Sequence, residues 1–155
     1  MTSTREFNFS EEDFRFTYEI LLKRYSDTST LIKGVTPLTV PSYEEHKNNI
    51  KTKFSILRIA LLNNDPIGIG YIDKTNIVGF FYHFTRLKYI LKNLKIKNLD
   101  LSEYYLKTIL SYGPKDTTLY ARVSVNNKLA NKTASRLMKF VSGTDTHNTY
   151  SYINE

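Results

Sequence analysis

An α+β domain is what this sequence predicts, with a central mixed but mostly antiparallel sheet and helices on both faces. Three observations predict it. Two helix-start signatures, "SEEDF" and "PSYEEH", come early in the chain. Three strand-like runs follow, joined by turns too short for a crossover. After the third run the apolar spacing changes from the strand's alternation to the helix's, and strand and helix then alternate to the end. The expected order is ααβββααβαβ in a single domain over 1–155, with residues 1–9 as an N-terminal tail.

Each element has its own warrant. In "SEEDF", Ser10 is the N-cap and the acidic Asp13 stands at N3. Phe14, Thr17, Tyr18, Leu21, Leu22 and Tyr25 then fall at helical spacing, so one face from Phe14 to Tyr25 is buried. In "PSYEEH", Pro41, the N-cap Ser42 and Glu45 three residues on start a second, shorter helix at Tyr43, after a loop holding Pro37 and Pro41. The strand-like runs are Ser55 to Leu62, Pro66 to Asp73 and Asn76 to Phe84, separated by Asn63-Asn64-Asp65 and Lys74-Thr75-Asn76, an antiparallel meander. A helical stretch from Arg86 to Leu94 follows without a turn glycine. It carries Leu87, Ile90, Leu91 and Leu94 on one stripe and Lys88, Lys92 and Lys95 on another. "DLSEYYLKTILSYG" is the next helix, capped by Asp100 or Ser102 and stopped by Gly113-Pro114. A strand from Thr118 to Val125, a helix in "NNKLANKTASRLMKF" and a last strand in "THNTYSYI" complete the chain. The helices between the third and fourth strands make their pairing parallel.

Composition narrows the chemistry. There is no Cys among the 155 residues, which excludes disulfides, thiolate metal sites and a Cys nucleophile, and three scattered His are too few for a zinc cluster. No apolar leader and no membrane-length apolar window is visible, so a soluble cytoplasmic protein without membrane or metal partners is expected. The formal net charge is +7. Arg86, Lys88, Lys92, Lys95 and Lys97 lie together with no Asp or Glu among them. That basic face suits a nucleic acid or an acidic protein, or simply solvent, and no base-reading motif accompanies it. The weight of Lys, Asn, Ile and Tyr fits an AT-rich coding sequence such as a viral or phage one.

The order of elements, with "PSYEEH" before the meander, "PIGIGYID" as the central hairpin, "NIVGFF" as the next strand and "LYARVSVNN" leading to the last helix, resembles the GCN5-related N-acetyltransferases (GNAT) from Phe14 to Tyr152. The resemblance implies an acetyl-CoA-dependent N-acetyltransferase acting on an amine of a protein or small molecule. It implies that the strand Ile77 to Phe84 splays from Leu119 to Val125, and that the pantetheine arm pairs with exposed backbone around Phe80, Phe81 and Tyr82. The family's phosphate loop, Gln/Arg-x-x-Gly-x-Gly/Ala, is replaced by "HFTRLKYILKN", whose large side chains cannot form a glycine cradle. Arg86 and Lys88 would then hold the phosphates by charge. Asn126 and Asn127 fall where the family contacts the cofactor, and Asn127, His83 and Tyr82 are the catalytic candidates. The family's Tyr acid on the following helix is absent.

Plainer roles stand beside these. Tyr82 and His83 suit packing, Asn126 and Asn127 suit helix initiation, and Tyr150 and Tyr152 suit a half-buried strand. Glu45 and His46 on the second helix suit the lining of an acceptor cleft, and Glu45 alternatively is just the capping-box partner. The other function class is a binding module that keeps the fold, has lost catalysis, and meets an anionic partner through Lys88, Lys92 and Lys95.

Overall fold

Ser10 and Ser42 accept the backbone N–H three residues ahead, from Asp13 at 3.2 Å and Glu45 at 3.1 Å, and the first two helices begin where these caps put them. The computed structural model describes residues 1–26, 32, 39–94 and 96–155, apart from the side chains of Ile90 and Asn93. The elements are β1 Thr2–Glu6, α1 Glu11–Ser26, α2 Tyr43–Lys53, β2 Phe54–Leu62, β3 Asp65–Asp73, β4 Val78–Tyr82, α3 Phe84–Asn93, α4 Asn98–Ser111, β5 Thr118–Ser124, α5 Lys128–Leu137, β6 Lys139–Gly143 and β7 His147–Ile153. Pro37 and Lys95 lie outside the described residues.

The strands form two sheets, β1-β2-β3-β4 and β5-β7-β6, antiparallel throughout. Asn63 and Asn64 turn the β2–β3 hairpin with φ of 50° and 68°, left-handed angles that Asn tolerates better than most residues. A parallel bridge, Ile77 with Tyr120, joins the sheets, and its Tyr120 N–H donates to the Asn76 carbonyl at 2.9 Å. The parallel relation is the expected one, and it stops after this pair.

Helices cover both faces. Phe14, Phe16, Ile20 and Ile50 from α1 and α2 bury against Ile59 and Ile69 on one face of the first sheet. On the other face α4 puts Leu101 and Tyr105 against Ala60, Leu62 and Ile67. The same helix sends Leu106, Ile109 and Leu110 to Leu119, Ala121 and Tyr150 of the second sheet, with Ala134 of α5. Gly70 makes this crossing possible, because a Cβ there would overlap the Ile109 side chain.

Three sequence expectations change. Residues 2–6 are not a tail but β1, in register with β2 from Thr2↔Leu62 to Glu6↔Arg58; "TSTRE" is polar because it is an edge strand. Helix α5 ends at Leu137, and "KFVSG" forms the exposed edge strand β6, as its aromatic and β-branched residues favour. Helix α4 begins at Asn98 behind Lys97 rather than at Asp100 or Ser102, since the Ser102 hydroxyl faces inward. The α3 pattern reads as expected where described. Leu87 is buried, Leu91 and Leu94 pack against the same cluster, and Lys88 and Lys92 are exposed.

His46 is not at an acceptor cleft. It is 7% exposed, between α2 and α1, with Nε2 2.8 Å from Thr17 Oγ1. The Thr17 hydroxyl proton is directed to the Phe14 or Asp13 carbonyl, so His46 donates. Burial pushes its ring down from the ordinary 6.5 to about 4. The neutral ring is the folded form, so its contribution is complete above the ordinary value and is lost as pH falls through that window. Denaturant titrations should show about 3 kcal/mol lost between those limits from this group, and His46→Gln should flatten that limb.

Candidate functional site

Backbone alternation decides what the two sheets present to each other. The Ile77 carbonyl accepts from Asp73 N–H at 2.9 Å and the His83 N–H donates to the Ile67 carbonyl at 2.7 Å, so odd-numbered residues of this stretch bond β3. The register from Val78↔Ile72 to Tyr82↔Gly68 has no bulge, and it assigns Gly79 and Phe81 to the same side. The peptide groups of Phe80 and Tyr82 therefore face β5, where no ladder meets them. From the other side, the bonding of Tyr120 to Asn76 turns the peptide groups of Arg122 and Ser124 toward β4. Two strand edges diverge from the Ile77–Tyr120 bridge with their polar groups toward the gap between them.

Side chains divide by face. Phe80 stacks on Tyr105 at 5.2 Å, and the Tyr82 hydroxyl is 2.8 Å from Ser102 Oγ on α4. Burial pushes the Tyr82 phenol up to about 12, despite the Ser102 hydrogen bond. Phe81 points to α1, with the Arg24 guanidinium 4.4 Å above its ring.

The junction into α3 has a local cause. His83 Nδ1 lies 3.5 Å from the Arg86 N–H, and its backbone carbonyl accepts from Leu87 N–H at 2.9 Å, so this residue starts the helix without a glycine. Its Nε2 is 2.6 Å from Glu19 Oε2, and its ring stacks on Phe16 at 5.3 Å. The Arg86 contact makes Nδ1 an acceptor and Nε2–H the donor to Glu19. Glu19, Ile20, Lys23, His83, Phe84 and Thr85 line a cavity of about 250 Å³ at this end of β4. Arg86 folds back, its guanidinium 4.8 Å over the Phe16 ring and Nη1 3.4 Å from the Pro66 carbonyl.

The starts of α3 and α4 differ electrically. The first turn of α3 holds no acid, while that of α4 holds Asp100. Asn98 Oδ1, at the start of α4, is buried without a hydrogen-bond partner. An anion is favoured at the first turn of α3 and opposed at α4.

At the far side of the gap, Asn127 caps α5, accepting Ala130 N–H at 3.1 Å. Asn126 is exposed beside it, its N–H 3.3 Å from Ser124 Oγ. Asn131 Nδ2 donates to the Ser124 and Asn127 carbonyls, both at 2.9 Å, while its Oδ1 accepts from the Tyr150 hydroxyl at 2.8 Å. Tyr150 is thereby a buried strut for the strand-to-helix turn. The structure thus gathers Phe80, Tyr82 and His83 at the β4 edge, holds Asn126 and Asn127 at the end of β5, and turns Arg86 to α1. Tyr71 and Arg24, which sequence reasoning did not single out, pack against the two sides of this arrangement at Phe81. Among the described residues no group of three or more His, Cys, Asp or Glu could hold a metal, and no helix is long and apolar enough to cross a membrane.

Two sheets diverging from one parallel bridge, with helices on both faces, define the GNAT fold, and the chain is a divergent member of that fold class. It is similar to yncA, a putative acetyltransferase from Salmonella typhimurium solved with its cofactor acetyl-CoA, at a TM-score of 0.69 and 9% identity over 100% of this chain and 95% of that one. It is similar to RimL, a ribosomal alpha-N-protein acetyltransferase in complex with coenzyme A, at 0.65 and 13% over 99% and 94%. An aminoglycoside acetyltransferase in complex with coenzyme A aligns at 0.57 and 16% over 97% and 93%. No family model matches the chain. Corticosteroid-binding globulin from Mus musculus is 26% identical over 165 aligned residues, covering 99% of this chain and 41% of that protein. The chain thus spans about two fifths of the length of that curated relative.

Proposed function

We propose that the protein is an N-acetyltransferase that uses acetyl-CoA to acetylate an amine of a protein or small molecule. The observation that carries this reading is the pair of diverging strand edges, with the peptide groups of Phe80 and Tyr82 opposite those of Arg122 and Ser124. An extended ligand with alternating amides, such as pantetheine, fits such an edge, since it supplies the partners that buried backbone groups require. The Phe81 peptide bonds β3, so Phe80 and Tyr82 are the residues that would hold the arm. The phosphates would lie at the first turn of α3, where the Phe84 and Thr85 N–H groups have no intrahelical acceptor and Lys23 and Thr85 line the adjoining cavity. Bound acetyl-CoA supplies an activated acyl group.

The chain's own residues bind, orient and exclude water. His83, committed through both ring nitrogens, fixes the start of α3 against α1, and Asn127 fixes the start of α5. Similarity to acetyltransferases of protein and aminoglycoside amines supports the choice of an amine acceptor. The other reading, a binding module using exposed Lys88 and Lys92, leaves the unpaired edges without a purpose. Titration calorimetry with CoA should give saturable binding, and labelled acetyl-CoA with a lysate should label an amine-bearing product. Silence in both would sink the enzyme reading, and capture of an anionic partner without CoA binding would favour the module.

A further inference from the structure

Tyr71 belongs to β3, yet its phenol stands over β4. The register places Tyr71 opposite Gly79, and a Cβ added at Gly79 would overlap the tip of the Tyr71 ring. The ring is held in that pose by Phe54, edge-on at 5.0 Å, and by Phe81, stacked at 6.0 Å. Gly79 lies between Val78 and Phe80, and the outward peptide groups of that stretch face the gap. The ring tip, with its hydroxyl, therefore lies over the strand that borders the gap. Nothing among the described residues hydrogen-bonds it. The charged groups acting on it are Arg24, which reaches across from α1, and Asp73, at the end of its own strand; its packing partners Phe54 and Phe81 are uncharged. Burial raises the phenol above its ordinary value and Arg24 only partly offsets this, so the group keeps its proton at neutral pH.

A protonated, rigidly held donor with no hydrogen-bond partner among the described residues, over the strand where the pantetheine arm would lie, has a chemical use there. Acyl transfer from a thioester needs a proton for the sulfur that departs. We propose that Tyr71 is that proton donor, reaching the sulfur across Gly79; the inference rests on the acetyl-CoA reading above. In the step the amine nitrogen forms a bond to the acetyl carbon, the carbon–sulfur bond breaks with its electron pair left on sulfur, and Tyr71 Oη gives its proton to that sulfur. The proton lost by the amine passes to water, from which the phenolate is reprotonated, so protons and electrons balance without a further reactant.

The test uses Tyr71→Phe, which removes a hydroxyl lacking any partner among the described residues and so leaves the packing in place. Calorimetry with CoA should give the same affinity for both proteins. The thiol of bound CoA, followed by thiolate absorbance against pH, should titrate about one pH unit higher in the variant, because a donor to the thiolate favours the charged form. In any amine transfer that the labelled assay detects, the rate should fall by roughly 10² with little change in KM. An unchanged thiol titration with CoA still bound, or an unchanged rate, would overturn the role of Tyr71 and leave the acetyl-CoA reading standing. Failure of the unaltered protein to bind CoA would overturn both.

Discussion

Arg5→Ala is expected to destabilise the fold by about 3–5 kcal/mol, among the largest effects of any single change outside the hydrophobic core. Asp13 is 3% exposed and holds three donors: Arg5 Nη1 at 2.8 Å, Arg5 Nη2 at 2.7 Å and the Asn8 N–H at 2.9 Å. Burial works to raise this carboxyl, and the Arg5 and Asn8 hydrogen bonds outweigh it, holding the group below the usual carboxylate range. Arg5 lies on β1 and Asp13 in the first turn of α1, so the pair fastens the edge strand to the first helix. Removing the guanidinium leaves a buried charge with one remaining N–H partner, which costs more than the pair contributes when intact.

The pH dependence separates this from a packing defect. The intact pair contributes stability above the ordinary carboxylate value of 3.8 and loses it as pH falls below that value. In the variant, burial opposed only by the Asn8 N–H raises the Asp13 carboxyl, so protonation relieves the penalty and the gap between the two proteins narrows toward acid. Urea midpoints measured from neutral pH downward read this directly, and a gap that stays constant would mean the loss is one of contacts alone.

Gly79→Val should cost about 3 kcal/mol and abolish CoA binding together. No room exists above Gly79, because the tip of the Tyr71 ring occupies it. A branched side chain must push the ring away from Phe54 and Phe81 or bend β4 toward the gap. Either outcome disturbs the edge at Phe80. Combining Gly79→Val with Tyr71→Leu should recover a kcal/mol or more of the stability, since the two residues share one space and their effects are not additive. Strict additivity in urea unfolding would show that the clash is absorbed elsewhere.

The sequence made most of the fold legible through local signals. The Ser10 and Ser42 caps, the Asn63-Asn64 turn and the stripe carrying Leu87, Leu91 and Leu94 each write their element in neighbouring residues. Strand β1 escaped because "TSTRE" owes its pairing to β2, some fifty residues on, and an edge strand has no need of an apolar face. The absence of a glycine after β4 was readable, and so was a helix running directly from that strand. What holds the junction was not readable, since the hydrogen bond from His83 to Glu19 depends on α1 crossing that strand end. The Tyr71–Gly79 pair lies between the two. Counting outward from the Lys74-Thr75-Asn76 turn sets these residues opposite each other, but which way the ring leans is decided by Phe54 and Phe81. Site residues were harder than elements for that reason: a cap is a property of four consecutive residues, whereas the pose of one hydroxyl is a property of several strands at once.

Among the described residues one bridged pair, Ile77 with Tyr120, joins the sheets, and it has a mechanical meaning. Beyond it no backbone ladder resists a twist of one sheet against the other among the described residues, and α4, whose buried side chains serve both, acts as the spine of an open book. The seam is compliant by construction, and any molecule threaded into it with amides on both sides works as stitching. The resistance of the seam to twisting is then set by what lies in it as much as by the chain, so that a cofactor would double as a structural member.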